Sequence, residues 1–575
     1  MRVTRGPNAY NQAVVPNLFS FRLSRERCVV AGVGLTIVCA FSAAVYAHGQ
    51  SPADSAVTPS TADRGRILLV LPFDNRTGQP SLEWIREAAA ELLRSRFRSA
   101  GFDPMSRADR LYALDHLGLP QGFQPSRASS LKLAQTLDAD SIVVGSYITD
   151  GAGIVAEARL VDVPHLRMSE AVTARGEMRS MIDVFDSLAW KLTRQLDPRI
   201  SVAEDTFIAA GKGINLNAFE QYIRGITEPD QAERQRHLEQ AVRLSPGFGP
   251  AWMALGREDY NSQQYEQAAA SFAKVDRNDA DGLEAGYYRG LSLLFSGDYV
   301  KAERAFADVA RVLPLAEVLN NEAVAVSRQG HDGTDLFMEA AANDPNSADY
   351  HFNLAVTLKR HGQTPGALNE LVQCLRLRPG DAEALALQTA WQHPGTKPAA
   401  TPAVLTAATG DASADADATP DPLERIVRTF DAAAFRQAAQ MLDQVDAARL
   451  SSLTSLERAK QVSTQAKAFL DRGLLLEAER LYQAAVADDR NCAEAHAGLA
   501  QVRERTGDAA GARMEAHQAL ELKPMADAYL VLGRLDLQAN QLSEATDDAA
   551  AALRLEPASQ AAQDLSRQVQ ARAGH

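Results

Sequence analysis

A spacing of about 34 residues runs through the second half of this chain and limits what it can fold into. Gly256, Gly290, Ala323 and Ala355 recur at nearly constant intervals, Phe272, Phe306, Phe337 and Leu371 keep step with them, and Pro314, Pro345 and Pro379 close successive periods. The pattern resumes with Ala466, Ala500 and Gly533, and Pro524 and Pro557 mark period ends. Two helices of about 12–14 residues joined by two tight turns use about 34 residues. The spacing therefore predicts helical hairpins stacked side by side. A small residue in each first helix lets the second helix approach, a large apolar residue on the second fills the remaining gap, and proline ends the unit.

Residues Ala251-Trp252-Met253-Ala254-Leu255-Gly256, followed by Tyr265, Ala268 and Phe272, carry a recognisable set of side chains. Gly290, Gly297-Asp298-Tyr299, Ala302, Phe306 and Pro314 repeat it, as do Asn353-Leu354-Ala355, Gly362, Ala367, Leu371 and Pro379. Leu499-Ala500, Gly507, Ala512, Ala519 and Pro524 precede Tyr529, Leu532-Gly533, Ala545, Ala552 and Pro557. These positions resemble the tetratricopeptide repeat at its Trp, Leu-Gly, Tyr, Ala and Phe sites. About eight units are expected, degenerate at 216–246 and 422–453 and short at 316–345. They form an all-α solenoid of two arrays, 216–391 and 423–573, and a polar helix at 559–573 reads as a solvating cap. Between the arrays, residues 392–422 are rich in Pro, Ala, Thr and Asp without an apolar period, the composition of a disordered linker. Its Asp411, Asp415, Asp417 and Asp421 lack the glycine and terminal glutamate of a calcium loop.

The amino-terminal residues read as an address. Residues 1–27 hold five arginines and one glutamate, and residues 28–47 form an uncharged apolar run. About 20 such residues cross a ~30 Å hydrocarbon core as a helix. Small residues at Val45-Tyr46-Ala47 suit a cleaved signal peptide, and the length of the run suits an uncleaved membrane anchor equally well. Either way the body is expected outside the cytoplasm, periplasmic or anchored at the inner membrane. The formal charge of −14 is the sum of a basic amino terminus and a more acidic body, and it argues against nucleic acid as a partner.

After a spacer at 48–63 the pattern changes again. Residues 67–73 are a continuous apolar run, as in a strand covered on both faces, and a helix follows from about Ser81, with Trp84, Ile85, Ala88, Leu92 and Phe97 at helical spacing. Strands are expected at 141–148, 154–161 and near 170–174, and a helix at 181–196. Leu71-Pro72-Phe73-Asp74-Asn75 with Gly78, Glu83-Trp84-Ile85, residues 133–140, Val143-Val144-Gly145-Ser146 and Arg159-Leu160-Val161-Asp162 resemble the amino-terminal domain family of TolB-like proteins, related to CsgG and FlgO. That resemblance implies a non-catalytic envelope module at 64–198. The polar loop 74–78 reads chiefly as a turn leaving a buried strand, with a ligand loop as the alternative.

No nucleophile, phosphate-loop or zinc-protease motif occurs, and Cys374 and Cys492 form no ligand pair. Catalytic residues, cofactors and metals are therefore not expected. Stacked hairpins instead make a groove lined by first helices. By the geometry of the resembled repeat, Met253, Arg257, Tyr260, Tyr287, Leu291, Leu294, Phe352, Val356 and Lys359 face it and would meet a protein partner, although several could equally pack neighbouring hairpins. Met253, Tyr287 and Phe352 stand where carboxylate-clamping members of the family carry lysine, so apolar or mixed recognition is expected. The sequence points to a non-enzymatic interaction scaffold of the cell envelope. The alternative is an envelope sensor whose α/β unit binds a small ligand.

Overall fold

The computed structural model describes residues 67–120, 122, 126–393 and 422–573. The basic flank, the apolar span at 28–47, the spacer and residues 394–421 lie outside the described residues. No helix among the described residues is long and apolar enough to cross a membrane.

The first described region is a mixed sheet. Strand β1 (Ile67–Val70) pairs in parallel with β3 (Asp103–Pro104) and β4 (Ser141–Asp150), and the short β2 (Asp74–Asn75) also runs parallel to β4. Strands β4 and β5 (Gly153–Asp162) form an antiparallel hairpin, and β5 also pairs with β6 (Arg167–Met168) and β7 (Val172–Glu177). Gly151, at φ 59°, supplies the left-handed residue that a two-residue hairpin loop needs.

Strand β1 has two buried faces. Leu68 and Val70 enter one core with the helices Ile85–Ser99 and Met181–Leu196; Leu69 and Leu71 enter another with Arg107–His116 and Arg127–Thr136. Alternate residues of a strand point to opposite faces, so a run apolar at every position requires cover on both. Phe73 lies across Gly145, where a Cβ would come within 2.2 Å of its ring, and meets Phe185 edge-on at 5.8 Å. Arg96 and Asp186, both buried, join the two covering helices at 2.7 Å. The helices Arg107–His116 and Arg127–Thr136 escaped the sequence reading because their apolar stripes are only a few residues long.

After the lone helix Glu204–Gly211, helical hairpins make up most of the described chain. The pairs are Leu216–Thr227 with Gln231–Leu244, Gly249–Asn261 with Tyr265–Phe272, Gly282–Phe295 with Tyr299–Ala310, Ala316–Arg328 with Thr334–Asn343, and Ala348–Arg360 with Thr364–Leu377. Ala382–Gln392 follows. Beyond residue 421 come the single helix Ala432–Ser451, then Ser455–Asp471 with Leu475–Asp488, Ala493–Thr506 with Ala509–Leu522, and Ala526–Gln538 with Leu542–Leu555, closed by Gln560–Ala573.

The packing follows the expected logic. A Cβ on Gly256 would lie 2.7 Å from the Phe272 ring, and one on Gly290 equally close to Phe306. Full burial of each phenylalanine stabilises by roughly 1.5–3 kcal/mol. Gly297 and Gly362 turn the chain between paired helices at φ 84° and 76°, conformations glycine adopts without a Cβ penalty. Cys374 and Cys492 are buried free thiols. On the last helix Ala562, Leu565 and Val569 are buried and face inward.

One stretch departs from the reading. Residues 422–453 do not form a degenerate hairpin: 422–430 are extended, and Ala432–Ser451 is a single helix. Pro422, Ile426 and Val427 suit an extended chain better than a helix. The boundary at 422/423 therefore does not begin an array of hairpins.

A groove that grips an extended segment

Residues 422–430 lie across the first helices of the hairpins between residues 282 and 392, and side chains of those helices hold the segment's main chain. Asn353 Nδ2 donates to the Arg425 carbonyl at 2.8 Å, and its Oδ1 accepts from the Arg425 N–H at 2.6 Å. One hairpin earlier, Asn321 treats Val427 in the same way, at 2.8 and 3.0 Å. An amide side chain presents one acceptor and two donors, so each asparagine completes both hydrogen bonds of one peptide residue, as a neighbouring strand would. Asn320 adds a donor to the Arg425 carbonyl at 3.1 Å and accepts from Asn353 at 2.7 Å. The Tyr287 hydroxyl donates to the Val427 carbonyl at 2.8 Å, and Tyr288 meets the Phe430 backbone. The segment thus runs against the order of the hairpins, with Arg425 over the later ones and Phe430 over the earlier.

The three asparagines are fully buried, which is tolerable because their amides are satisfied. Burial also pushes the Tyr287 phenol far above its ordinary range, so it remains a donor.

Side chains of the segment find charged and aromatic seats. The Arg425 guanidinium stacks 3.6 Å from the centre of the Phe352 ring. It pairs with Asp349 at 2.9 Å, Asp381 at 2.7 Å and Glu383 at 3.2 Å. Burial works against the charge of Asp349 and of Asp381, but the hydrogen bonds from Arg378 and Arg425 to Asp349, and from Arg425 to Asp381, hold both carboxyls below the usual carboxylate range. Asp381 also caps the helix Ala382–Gln392 through the Ala384 N–H. The buried Glu424 meets Ser327 and Arg360, with Arg328 at 3.4 Å, and Arg360 donates to the Pro422 carbonyl at 2.8 Å. Phe430 packs on Phe435 with ring centres 4.0 Å apart and planes tilted by 36°, and it approaches Tyr287 at 5.7 Å. Arg428 sits over Phe295 at 5.0 Å.

The sequence-derived groove residues divide. Tyr287 and Phe352 touch the segment directly. Leu291 and Leu294 are buried in the apolar cluster that Ile426, Val427 and Phe430 join. Met253 is buried with Ala268 and Phe272 in its own hairpin, and Val356 packs with Leu371 and Cys374. Both serve helix packing rather than a free surface. Arg257 pairs with Glu284, Tyr260 packs on Tyr265 and Tyr288, and Lys359 donates to Thr364 and lies 5.8 Å from the Trp391 ring centre. The asparagines went unread. Their signal was an amide at 321 and again at 353, each two residues before the small residue of its period.

The loop 74–78 closes on itself. Asn75 bonds the Gln79 carbonyl and Glu83 and accepts from Thr77. No group of metal-ligating side chains occurs among the described residues.

Residues 336–369 match the family model of the tetratricopeptide repeat. The match spans Asp349, Phe352, Asn353 and Arg360, so part of the segment's seat lies within it. Among solved structures, MamA from Desulfovibrio magneticus RS-1 is 19% identical, covering 30% of this chain and 99% of its own, with a TM-score of 0.27. YrrB, described as a TPR protein with an unusual peptide-binding site, is 16% identical over 35% of this chain and 99% of its own, TM-score 0.27. The LpoB C-terminal domain from Escherichia coli is 21% identical over 21% of this chain and 88% of its own, TM-score 0.19. No curated protein matches the sequence.

Proposed function

We propose that this chain is a non-enzymatic scaffold of the bacterial cell envelope that binds protein partners through the groove of its helical hairpins. The observation that carries the reading is the pair of asparagine clamps. Asn321 and Asn353 each complete both hydrogen bonds of one residue in an extended chain, and a row of such clamps recognises peptide main chain as a sheet edge does. Charged seats around Glu424 and Arg425 add side-chain selectivity. Export rests on the uncharged run at 28–47 behind a basic flank, and the envelope assignment also draws on the TolB-like resemblance of residues 64–198.

The test is affinity capture from detergent-solubilised envelopes with the full chain and with the Asn321→Ala/Asn353→Ala variant. A partner retained by the first and lost by the second, at unchanged circular dichroism, is the expected result. Equal capture by both removes the groove from the reading. Mass spectrometry of the mature amino terminus, in the same material, shows whether residues 28–47 stay attached.

A further inference from the structure

The occupied groove raises the question of what residues 422–430 are for. A structural strap is normally fixed by apolar burial or by regular pairing with a sheet or helix. This segment pairs with no sheet and continues no helix, and its apolar burial is confined to the half-buried Ile426, Val427 and Phe430. Its main chain is held by Asn320, Asn321, Asn353 and Tyr287, groups that would bind the backbone of any extended chain equally well. Leu423, Arg428 and Thr429 are exposed, and the selective contacts are polar: Glu424 with Ser327, Arg328 and Arg360, and Arg425 with Phe352, Asp349, Asp381 and Glu383. Breaking such buried pairs is costly, but a competing chain that offers the same charges at the same places restores them.

We propose that residues 422–430 are an internal ligand, which occupies the groove until a partner displaces it. The partner presents an extended stretch in which an acidic residue is followed directly by arginine and then by apolar residues. This rests on the reading of the groove as a protein-binding site and adds its regulation and its ligand chemistry.

The recognition pattern is written in the occupant. The acidic residue enters the basic corner made by Arg328 and Arg360. The arginine stacks on Phe352 between three carboxylates, a seat that accepts a planar cation and excludes an acidic side chain. The following residues lie over Asn321 and Tyr287, where main-chain bonding tolerates β-branched side chains that favour extended backbone. Phe430 then ends the segment against Tyr287. Covalent attachment gives the internal ligand an effective concentration of order mM. A free peptide of the same sequence therefore binds weakly to the intact chain, and a productive partner must exceed that threshold or bind at several points.

The experiment uses the full chain and a fluorescent synthetic peptide of residues 422–430, Pro-Leu-Glu-Arg-Ile-Val-Arg-Thr-Phe, followed by anisotropy. Weakening the internal copy with Glu424→Ala/Arg425→Ala is expected to tighten peptide binding at least 10-fold over the unmodified chain. Adding Asn321→Ala/Asn353→Ala to that variant is expected to abolish the gain. A folded Glu424→Ala/Arg425→Ala variant that binds the peptide no better than the unmodified chain overturns the proposal. So does a unmodified chain that pairs with a second copy through residues 422–430, seen as an intermolecular cross-link in a dimer. Should the double variant fail to fold, Glu424→Gln and Arg425→Lys keep the test alive, each with a smaller gain. A peptide carrying Arg425→Glu serves as the specificity control, and binding as tight as the parent peptide also counts against the proposal.

The two readings fail separately. Envelope capture that depends on the asparagines, without any gain for the peptide, leaves the scaffold and removes the internal ligand. A peptide gain without any captured partner leaves the internal ligand and removes the scaffold.

Discussion

The hairpins before and after residues 394–421 share one construction and differ in the polar residues of their first helices. Two residues before the small residue of the first helix, the hairpins between residues 282 and 377 carry Tyr288, Asn321 and Asn353, and the later ones carry Thr464, Gly498 and Val531. The first three meet the extended segment. Thr464 instead turns its hydroxyl to the Lys460 carbonyl of its own helix at 3.0 Å, and Val531 is fully buried. Gly498 has no room for a side chain, since a Cβ there would lie 2.1 Å from Tyr482. The difference teaches that stacking and recognition are written at separate positions. Small residues and aromatics build the hairpins in both regions, and polar residues at two adjacent positions of the first helices hold the backbone in one of them.

The largest effect expected from breaking this contrast comes from Asn321→Ala/Asn353→Ala. It strips both clamps and leaves peptide groups of the segment unpaired, at about 1–3 kcal/mol for each buried group. Hydrogen exchange at the Arg425 and Val427 amides should accelerate by about 100-fold, a factor that corresponds to roughly 2.7 kcal/mol. Unchanged protection would mean that the side-chain seats, not the clamps, hold the segment. Transplanting the clamp is next in size. Gly498→Asn must displace Tyr482, and overpacking costs about 1–3 kcal/mol, so the thermal midpoint should fall. A neutral result would show that the later hairpins can accept a reading position after all.

Acid should release the extended segment first. Asp349 and Asp381 have folded pKa values below their unfolded ones, so their contribution is fully present above the ordinary carboxylate range. It is lost as the pH falls through the lowered values. Exchange at residues 425–427 should therefore rise in acid before the hairpins beyond residue 455 open. Simultaneous opening would contradict the ion-pair account.

The smallest effect probes what the two regions share. His351 donates toward the Pro345 carbonyl at 3.1 Å and meets Glu370 at 2.6 Å; His496 repeats this with Arg490 and Glu515 at the same distances. Trp252 reaches the Pro246 carbonyl at 2.8 Å from the equivalent position. Donation to the Glu370 carboxylate raises the pKa of His351; for His496 burial works to lower it, and the hydrogen bonds to Glu515 and the Arg490 carbonyl raise it overall. A raised histidine stabilises fully below its unfolded value near 6.5 and loses that contribution as the pH rises through the folded value. His351→Gln and His496→Gln should each remove part of that slope, by under about 1 kcal/mol. A slope unchanged in both variants would exclude these residues as its source.

Much of the scaffold was legible because close packing leaves a periodic trace. Gly256 and Gly290 had to be small for Phe272 and Phe306 to fit, and β1 had to be apolar throughout because both its faces are covered. Tyr287 and Phe352 could be read as groove residues from their place in the period. Met253, at the same place, packs with Ala268 and Phe272, and its place in the period does not distinguish the two uses. Asn321 and Asn353 were visible only as two amides at a shared position, and nothing local distinguishes a clamp from a solvated polar residue.

The sequence by itself determined the hairpin unit, its turns and its stacking, since each depends on contacts within about 34 residues and on side chains that must fit. Tertiary structure alone decided what lies in the groove. The asparagines grip main chain, which is the same at every residue, so no side-chain pattern could name residues 422–430 as the occupant. Only the path of the chain, which brings Arg425 beneath Asn353 and Val427 beneath Asn321, makes that choice.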